Sequence, residues 1–372
     1  MTASIAKILG RQESHPVDPR ALAQFSLGPV ETAGDEIVLG PNWSLYCLDT
    51  AERLAVFVEL PEGLDLAEAP FVYAAQFQHA QRVATVPFDA LPTLAACVLA
   101  VKNLAILMST GRCGSTLASR IFAQIPGVWS LSEPDWFTNL AFARAELGDA
   151  PLQELIAACI RLTCRPPAGL SPDTIVLKPR SEMIVQAPSY VAALPEARAV
   201  FLYRDCVGYV NSLYRFAQRI LGTTELPRGS PEWGMVFNMS TIASPDTILK
   251  TYFEADETIG GLELMTLGWL LRMQAYLRAS DGGMRVEPLH YDDLTADRRA
   301  QTTRLMESCG IDARHLEVAL HGFDKDAHSG SAGENTIAAE PLTPDQKERV
   351  RALVARWGFS DYASDRLAPL GA

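Results

Sequence analysis

Apolar residues gather in strand-like runs bounded by polar ones in WSLYCLD, residues 43–49, and again in RLAVFVEL, residues 53–60. The polar TAE between them predicts a hairpin. PFVYAAQFQHAQRV then reads as a helix and ATVPF as a further short strand. From about residue 101 the pattern changes. LAILMS is an unbroken apolar run suited to a buried strand, whereas in STLASRIFAQI residues Leu117, Ala118, Ile121, Phe122 and Ile125 share one helical face until Pro126-Gly127 stops it. TIVLKP, PSYVAAL, ARAVFLYR and VGYVNSLYRFAQRIL continue as strand, helix, strand and helix. Farther on come a helix around Trp269 to Arg278, the strand RVEPLHY and a helix from about 296 to 309. A last helix has Thr343 as its cap, Pro344 at its first position and Gln346 completing a capping box. Strands alternating with helices imply a parallel sheet covered by helices. The expected division is an N-terminal α+β accessory domain over 1–100 and an α/β domain over 101–372, with residues 222 to about 262 as an insertion or lid.

Composition narrows the function classes. The 372 residues are 48% hydrophobic and 20% charged, as in a globular chain able to bury a large core. The longest apolar stretch, Leu94 to Met108, is interrupted by Lys102 and Asn103. It is too short to span a bilayer, so no membrane association and a cytoplasmic location are the expectation. The seven cysteines are scattered without paired spacing or neighbouring histidines, which reads as reduced thiols, mostly core, and no metal site. His79, Trp43 and Phe57 read as surface or packing residues. A net charge of −12 argues against nucleic-acid partners. An anionic ligand therefore has to meet a local cluster of cations.

STGRCGSTLAS, residues 109–119, supplies such a place. A strand ending in a glycine loop that opens a helix aims backbone N–H groups at one point, and the helix dipole adds positive potential. Gly111 and Gly114 permit close approach, Ser115 and Thr116 offer hydroxyls, and Arg112 adds a fixed charge. The nucleoside triphosphate pattern GxxxxGK is absent, since no lysine precedes Ser115. In a second segment, FLYRDCVGYVNSLYRF, Arg204 ends a strand and Ser212 lies inside the next helix. Open α/β sheets bind ligands beyond such strand ends.

GRCGST followed by Arg204 and Ser212 resembles the sulfotransferase family that uses 3′-phosphoadenosine 5′-phosphosulfate. VLKPR, HYDDL and the glycine pair Gly330/Gly333 of HSGSAG fall in the family's order, and the resemblance covers roughly residues 104 to 360. It implies a three-layer, P-loop-like parallel sheet flanked by helices and transfer of a sulfonate group to a hydroxyl or amine of a small-molecule acceptor. Adenosine 3′,5′-bisphosphate would be the product. Carried over by position, Arg112 contacts the transferred group, Gly114, Ser115 and Thr116 cradle the 5′-phosphate with Cys113 and Leu117 completing the segment, and Arg204 and Ser212 hold the 3′-phosphate. Lys178 matches a lysine near the sulfonate. HSGSAG departs from the family's RKGxxG form and places His328 and Ser329 where cations are usual, leaving His328 and Gly330 as the contacts there.

Cytosolic members use as base the histidine two places after the lysine matched by Lys178, but that position is Arg180, which cannot accept a proton. SLSEPDWF instead resembles the Glu-Pro of carbohydrate sulfotransferases. Glu133 is thus the expected base, with a helix cap as its other reading, and Asp135 is the less favoured neighbour. Arg180, Asp135 and Trp136 fall to the acceptor, with Phe137, Trp233, Phe237 and Trp269 as further candidates for an apolar lining. His290 reads as a packing or hydrogen-bonding residue. Two other readings stand beside this one: a nucleotide-binding or interaction module without catalysis, and a magnesium-nucleotide phosphotransferase. The acceptor and the oligomeric state, a homodimer included, are open.

Overall fold

The computed structural model describes residues 2–13, 18–221, 225–229, 258–324, 340–356 and 367. His328, Ser329, Gly330 and Gly333, together with Trp233 and Phe237 and most of the expected lid, lie outside the described residues.

The N-terminal strands form a five-stranded sheet in the order β2-β1-β5-β4-β3. They are β1 (Thr2–Arg11), β2 (Phe25–Gly34), β3 (Trp43–Asp49), β4 (Leu54–Glu59) and β5 (Arg82–Pro87). Each neighbouring pair is antiparallel. The expected hairpin is β3–β4, and side chains on both of its faces, Leu45, Cys47, Val56 and Phe57 among them, are buried. α1 (Val72–His79) precedes β5 and buries Val72, Tyr73, Gln76 and Phe77, leaving His79 exposed. Trp43 and Phe57 are core. A short helix, α2 (Leu91–Ala96), follows β5.

The second five-stranded sheet runs in the order β12-β9-β6-β8-β7 and is parallel. Its strands are β6 (Leu104–Ser109), β7 (Val128–Ser132), β8 (Thr174–Lys178), β9 (Arg198–Tyr203) and β12 (Glu287–His290). β10 (Leu226–Pro227) and β11 (Thr258–Ile259) make a separate two-residue antiparallel pair. All five residues of β8 are buried, as its apolar run requires of a strand covered on both faces. Helices alternate with these strands: α3 (Ser115–Ala123), α4 (Trp136–Leu147), α5 (Asp149–Thr163), α6 (Ala187–Ala193) and α7 (Cys206–Leu221). On α3 the side chains of Ala118, Ile121 and Phe122 are buried, and Gly127 with φ +79° turns the chain into β7. The helix expected around Trp269 extends over Gly261–Asp281. The last helix, Pro344–Arg356, has the expected box: Thr343 Oγ1 accepts from the Gln346 N–H at 3.2 Å, and Gln346 Oε1 from the Thr343 N–H at 2.9 Å.

By compactness the chain groups into two units. One comprises residues 1–106, 122–180 and 188–197, and the other 107–121, 181–187 and 198–372. The first thus holds the antiparallel sheet with β7 and β8, and the second holds the glycine loop, β9 and β12. Among the described residues no helix is long and apolar enough to cross a membrane.

Candidate functional site

In the second unit the loop after β6 owes its path to three closely spaced departures from ordinary backbone. Gly111, Arg112 and Gly114 have φ of +78°, +50° and +79°. At Gly114 a side chain is excluded twice, because a Cβ would also lie 2.6 Å from the Tyr291 ring. The Thr110 N–H donates to the Leu202 carbonyl at 3.0 Å, and the Cys113 thiol donates to the same carbonyl at 3.2 Å. Cys113 is therefore turned into the protein, and only its backbone belongs to the loop surface. α3 begins at Ser115, where helix N–H groups lack partners within the helix. Thr116 and Leu117 are half-buried on its first turn.

Around this loop the second unit gathers cations. Arg112 Nε donates to Ser212 Oγ at 3.1 Å, and its guanidinium lies 5.1 Å from the Phe216 ring centre. Burial holds the Arg112 guanidinium below its ordinary pKa; Tyr209 and Cys113 oppose the fall, whereas Arg219 and Arg204 deepen it. Arg204, immediately after β9, has its guanidinium 4.6 Å from the Tyr291 ring centre and its carbonyl fixed by Trp269 Nε1 at 2.8 Å. Its Nε is buried without a hydrogen-bond partner among the described residues. No carboxylate of the described residues makes an ion pair with Arg112 or Arg204, while Arg272 nearby is already paired with Glu182. Arg112 and Arg204, outside any ion pair among the described residues although Asp205 adjoins Arg204, are suited to a doubly or triply charged anion. Tyr291, which packs on Gly114 and under Arg204, is a part of this cluster that HYDDL contains but that no spacing or charge signal marks as functional. Arg219 is another, one of the charges on the polar side of the amphipathic α7.

Solved structures that match this chain include sulfotransferases. STF9 from Mycobacterium avium is 14% identical with a TM-score of 0.39, the match covering 72% of this chain and 78% of that one. Mouse SULT7A1 complexed with PAP is 12% identical with a TM-score of 0.36, over 72% of this chain and 88% of that one. No family model and no curated protein matches.

The first unit holds a different cluster. Lys178, at the end of β8, is ion-paired with Glu133, which follows β7, and the Glu133 N–H donates to the Lys178 carbonyl at 2.6 Å. Lys178 Nζ also lies 5.7 Å from the Phe71 ring centre. Glu133 has φ +57°. Only two other described non-glycine residues have positive φ, Arg53 and Arg112, so two of the three are expected catalytic residues. Such strain persists where the surroundings impose it, and functional sites are where it collects. Glu133 does not cap α4; the residue before that helix is Asp135. The helix-cap reading of Glu133 is thus replaced by an ion pair.

Asp135 is fully buried, with Oδ1 at 2.8 Å from Arg180 Nε and 2.9 Å from Thr138 Oγ1, and Oδ2 accepting from the Arg20 N–H. So many donors make it a fixed counter-ion that orients Arg180. Trp136 and Phe137, expected near the acceptor, are fully buried and stacked at 3.8 Å, and Trp269 is likewise core. Their packing removes them from a lining role.

His290 accepts from the Asp292 N–H through Nδ1 at 3.1 Å and sets its edge against Tyr203, as a capping and packing residue does. Its ring lies close to Asp205 and Asp292, three groups whose ligand atoms fall within 4.8 Å of one another. Asp205 meanwhile accepts from the Gly208 N–H at 2.8 Å.

Proposed function

We propose that the chain is a sulfotransferase that takes its sulfonate from 3′-phosphoadenosine 5′-phosphosulfate. The observation that carries this reading is the arginine cluster around a glycine loop that has no room for a side chain at Gly114. Arg112, Ser115, Thr116 and the backbone of Cys113 and Gly114 would hold the 5′-phosphosulfate, and Arg204 with Ser212 the 3′-phosphate. The buried Nε of Arg204, which lacks a hydrogen-bond partner among the described residues, and the positive-φ backbone of Gly111 and Gly114 at the start of α3 fit such a group. When bound, it supplies a sulfuryl group on a good leaving phosphate.

The chain's own residues would act electrostatically. Charge develops on the bridging oxygen and the equatorial oxygens during transfer, where positioned cations are most effective. Arg112 and Lys178 are assigned to that charge. Glu133 would accept the proton of the acceptor hydroxyl as the new S–O bond forms and the old one breaks. The products balance as a sulfate ester, adenosine 3′,5′-bisphosphate and one proton. Arg180, buried and paired with Asp135, is assigned to the acceptor.

Calorimetric titration with adenosine 3′,5′-bisphosphate beside ADP and magnesium-ATP tests the donor. Binding of the bisphosphate alone is expected. Arg204→Ala should then weaken it by about 1.5–3 kcal/mol, as for a charge-assisted hydrogen bond. Preference for magnesium-ATP would favour phosphoryl transfer instead. Tight bisphosphate binding without turnover over a broad acceptor panel would favour a module that binds and does not catalyse.

A further inference from the structure

The first unit holds a guanidinium without a counter-charge. Arg20 is 7% exposed, and its backbone is pinned at both groups, the N–H by Asp135 and the carbonyl by Asn139 Nδ2 at 3.0 Å. Its guanidinium lies 4.8 Å from the Tyr73 ring centre and 5.0 Å from that of Phe77. Its Nε is buried with no hydrogen-bond partner among the described residues, its guanidinium stands beside the neutral Tyr46 phenol, and no carboxylate of the described residues forms an ion pair with it. Arg180 approaches the same Tyr73 ring at 4.6 Å. The nearby acids are committed elsewhere: Asp135 is shared among Arg180, Thr138 and the Arg20 backbone, and Glu133 is held by Lys178.

A buried guanidinium without a carboxylate is costly to keep, and aromatic faces repay only part of that cost. The planar fork that remains matches one ligand class best, a carboxylate bound edge-on. Aromatic rings adjoin it in Tyr73 and Phe77, and Phe71 stacks on Tyr73 at 5.7 Å. The same surroundings contain the expected base. Burial pushes the Tyr73 phenol up to about 12, with Glu133 and Asp135 adding to the rise and Arg180 and Arg20 opposing it.

We propose that Arg20 and Arg180 bind the carboxylate of the acceptor, and that the acceptor is therefore a phenolic acid whose hydroxyl is presented to Glu133. Resting on the sulfotransferase reading for its reaction, this assigns the acceptor class and gives the N-terminal region a part in choosing it. The Tyr73 ring organises both guanidiniums, and a neutral ester of the same acid lacks the charge they require.

The test titrates the full chain with 4-hydroxybenzoate, 4-hydroxyphenylacetate and 4-hydroxycinnamate, each beside its methyl ester, with and without adenosine 3′,5′-bisphosphate. At least one acid should bind about tenfold or more tightly than its ester, as expected when one charged partner is removed. Arg20→Met should abolish that preference and leave bisphosphate affinity unchanged. Acids and esters binding alike, no acid binding, or a preference that survives Arg20→Met would overturn the proposal. The acid-against-ester comparison on the unaltered protein decides the matter even where the variant fails to fold. Acid preference without bisphosphate binding would leave the carboxylate site standing and remove the sulfotransferase reading; the converse would do the opposite.

Discussion

Glu133 shows what a single residue contributes and how it can be tested. Its left-handed backbone, its ion pair with Lys178 and its failure to cap α4 all follow from its place just beyond β7. Glu133→Gln keeps the shape and removes the basic oxygen, so turnover should fall about a hundredfold or more while bisphosphate affinity is retained. Near-normal turnover in a single-turnover assay would return Glu133 to a structural role. The cysteines give a second residue-scale outcome. Cys47, Cys159, Cys164, Cys206 and Cys309 are buried, and burial pushes each thiol up, to about 12 at Cys309. Cys113 is also buried, and Cys97 is exposed. Because the thiolate is the reactive form, native alkylation near pH 8 should add one label, at Cys97, read by intact mass. Early labelling of Cys113 would mean that the glycine loop opens.

At the scale of elements, the loop and α3 stand or fall on Gly114. Ala there would hold a positive φ that costs about 1 kcal/mol or more and would also collide with Tyr291. Gly63 has φ +80° and nothing within 4 Å of a Cβ, so Gly63→Ala carries a positive-φ cost without a collision. Gly114→Ala should lower the melting temperature further than Gly63→Ala and should weaken bisphosphate binding, which the control leaves alone. Equal effects would show that Tyr291 yields. The loop itself was legible because glycine, arginine and hydroxyl spacing at a strand–helix junction is local information. β3, β4, α1, β5 and the capping box were legible for the same reason. β1 and β2 were not: Gly28 and Pro29 interrupt the second, and the first pairs with β5, about eighty residues away, without a turn signal. Tyr291 against Gly114, and Arg20 against Tyr73, join positions far apart in the chain, where periodicity carries no information.

For the whole molecule the relevant contrast is between a net charge of −12 and the arginines gathered around the glycine loop. A distant anion meets repulsion first and attraction only near the cluster. Raising ionic strength from about 0.01 to 0.15 M shortens the screening length from about 30 to 8 Å, which relieves the repulsion. Association of adenosine 3′,5′-bisphosphate, followed by stopped-flow fluorescence, should therefore accelerate with added salt. Slowing would mean that the arginine field already dominates at long range.

The first unit's three segments also set an order of events during synthesis. Its early part ends at residue 106, yet its last segment ends only at residue 197, after residues 107–121 and 181–187 of the other unit have been made. At roughly 5–20 residues per second that span takes about 5–20 s, and β8, the later of the first unit's two parallel strands, is complete only about 4–14 s after residue 106. Synonymous codon changes that slow translation between those points should lengthen chaperone occupancy without altering a single residue of the finished protein.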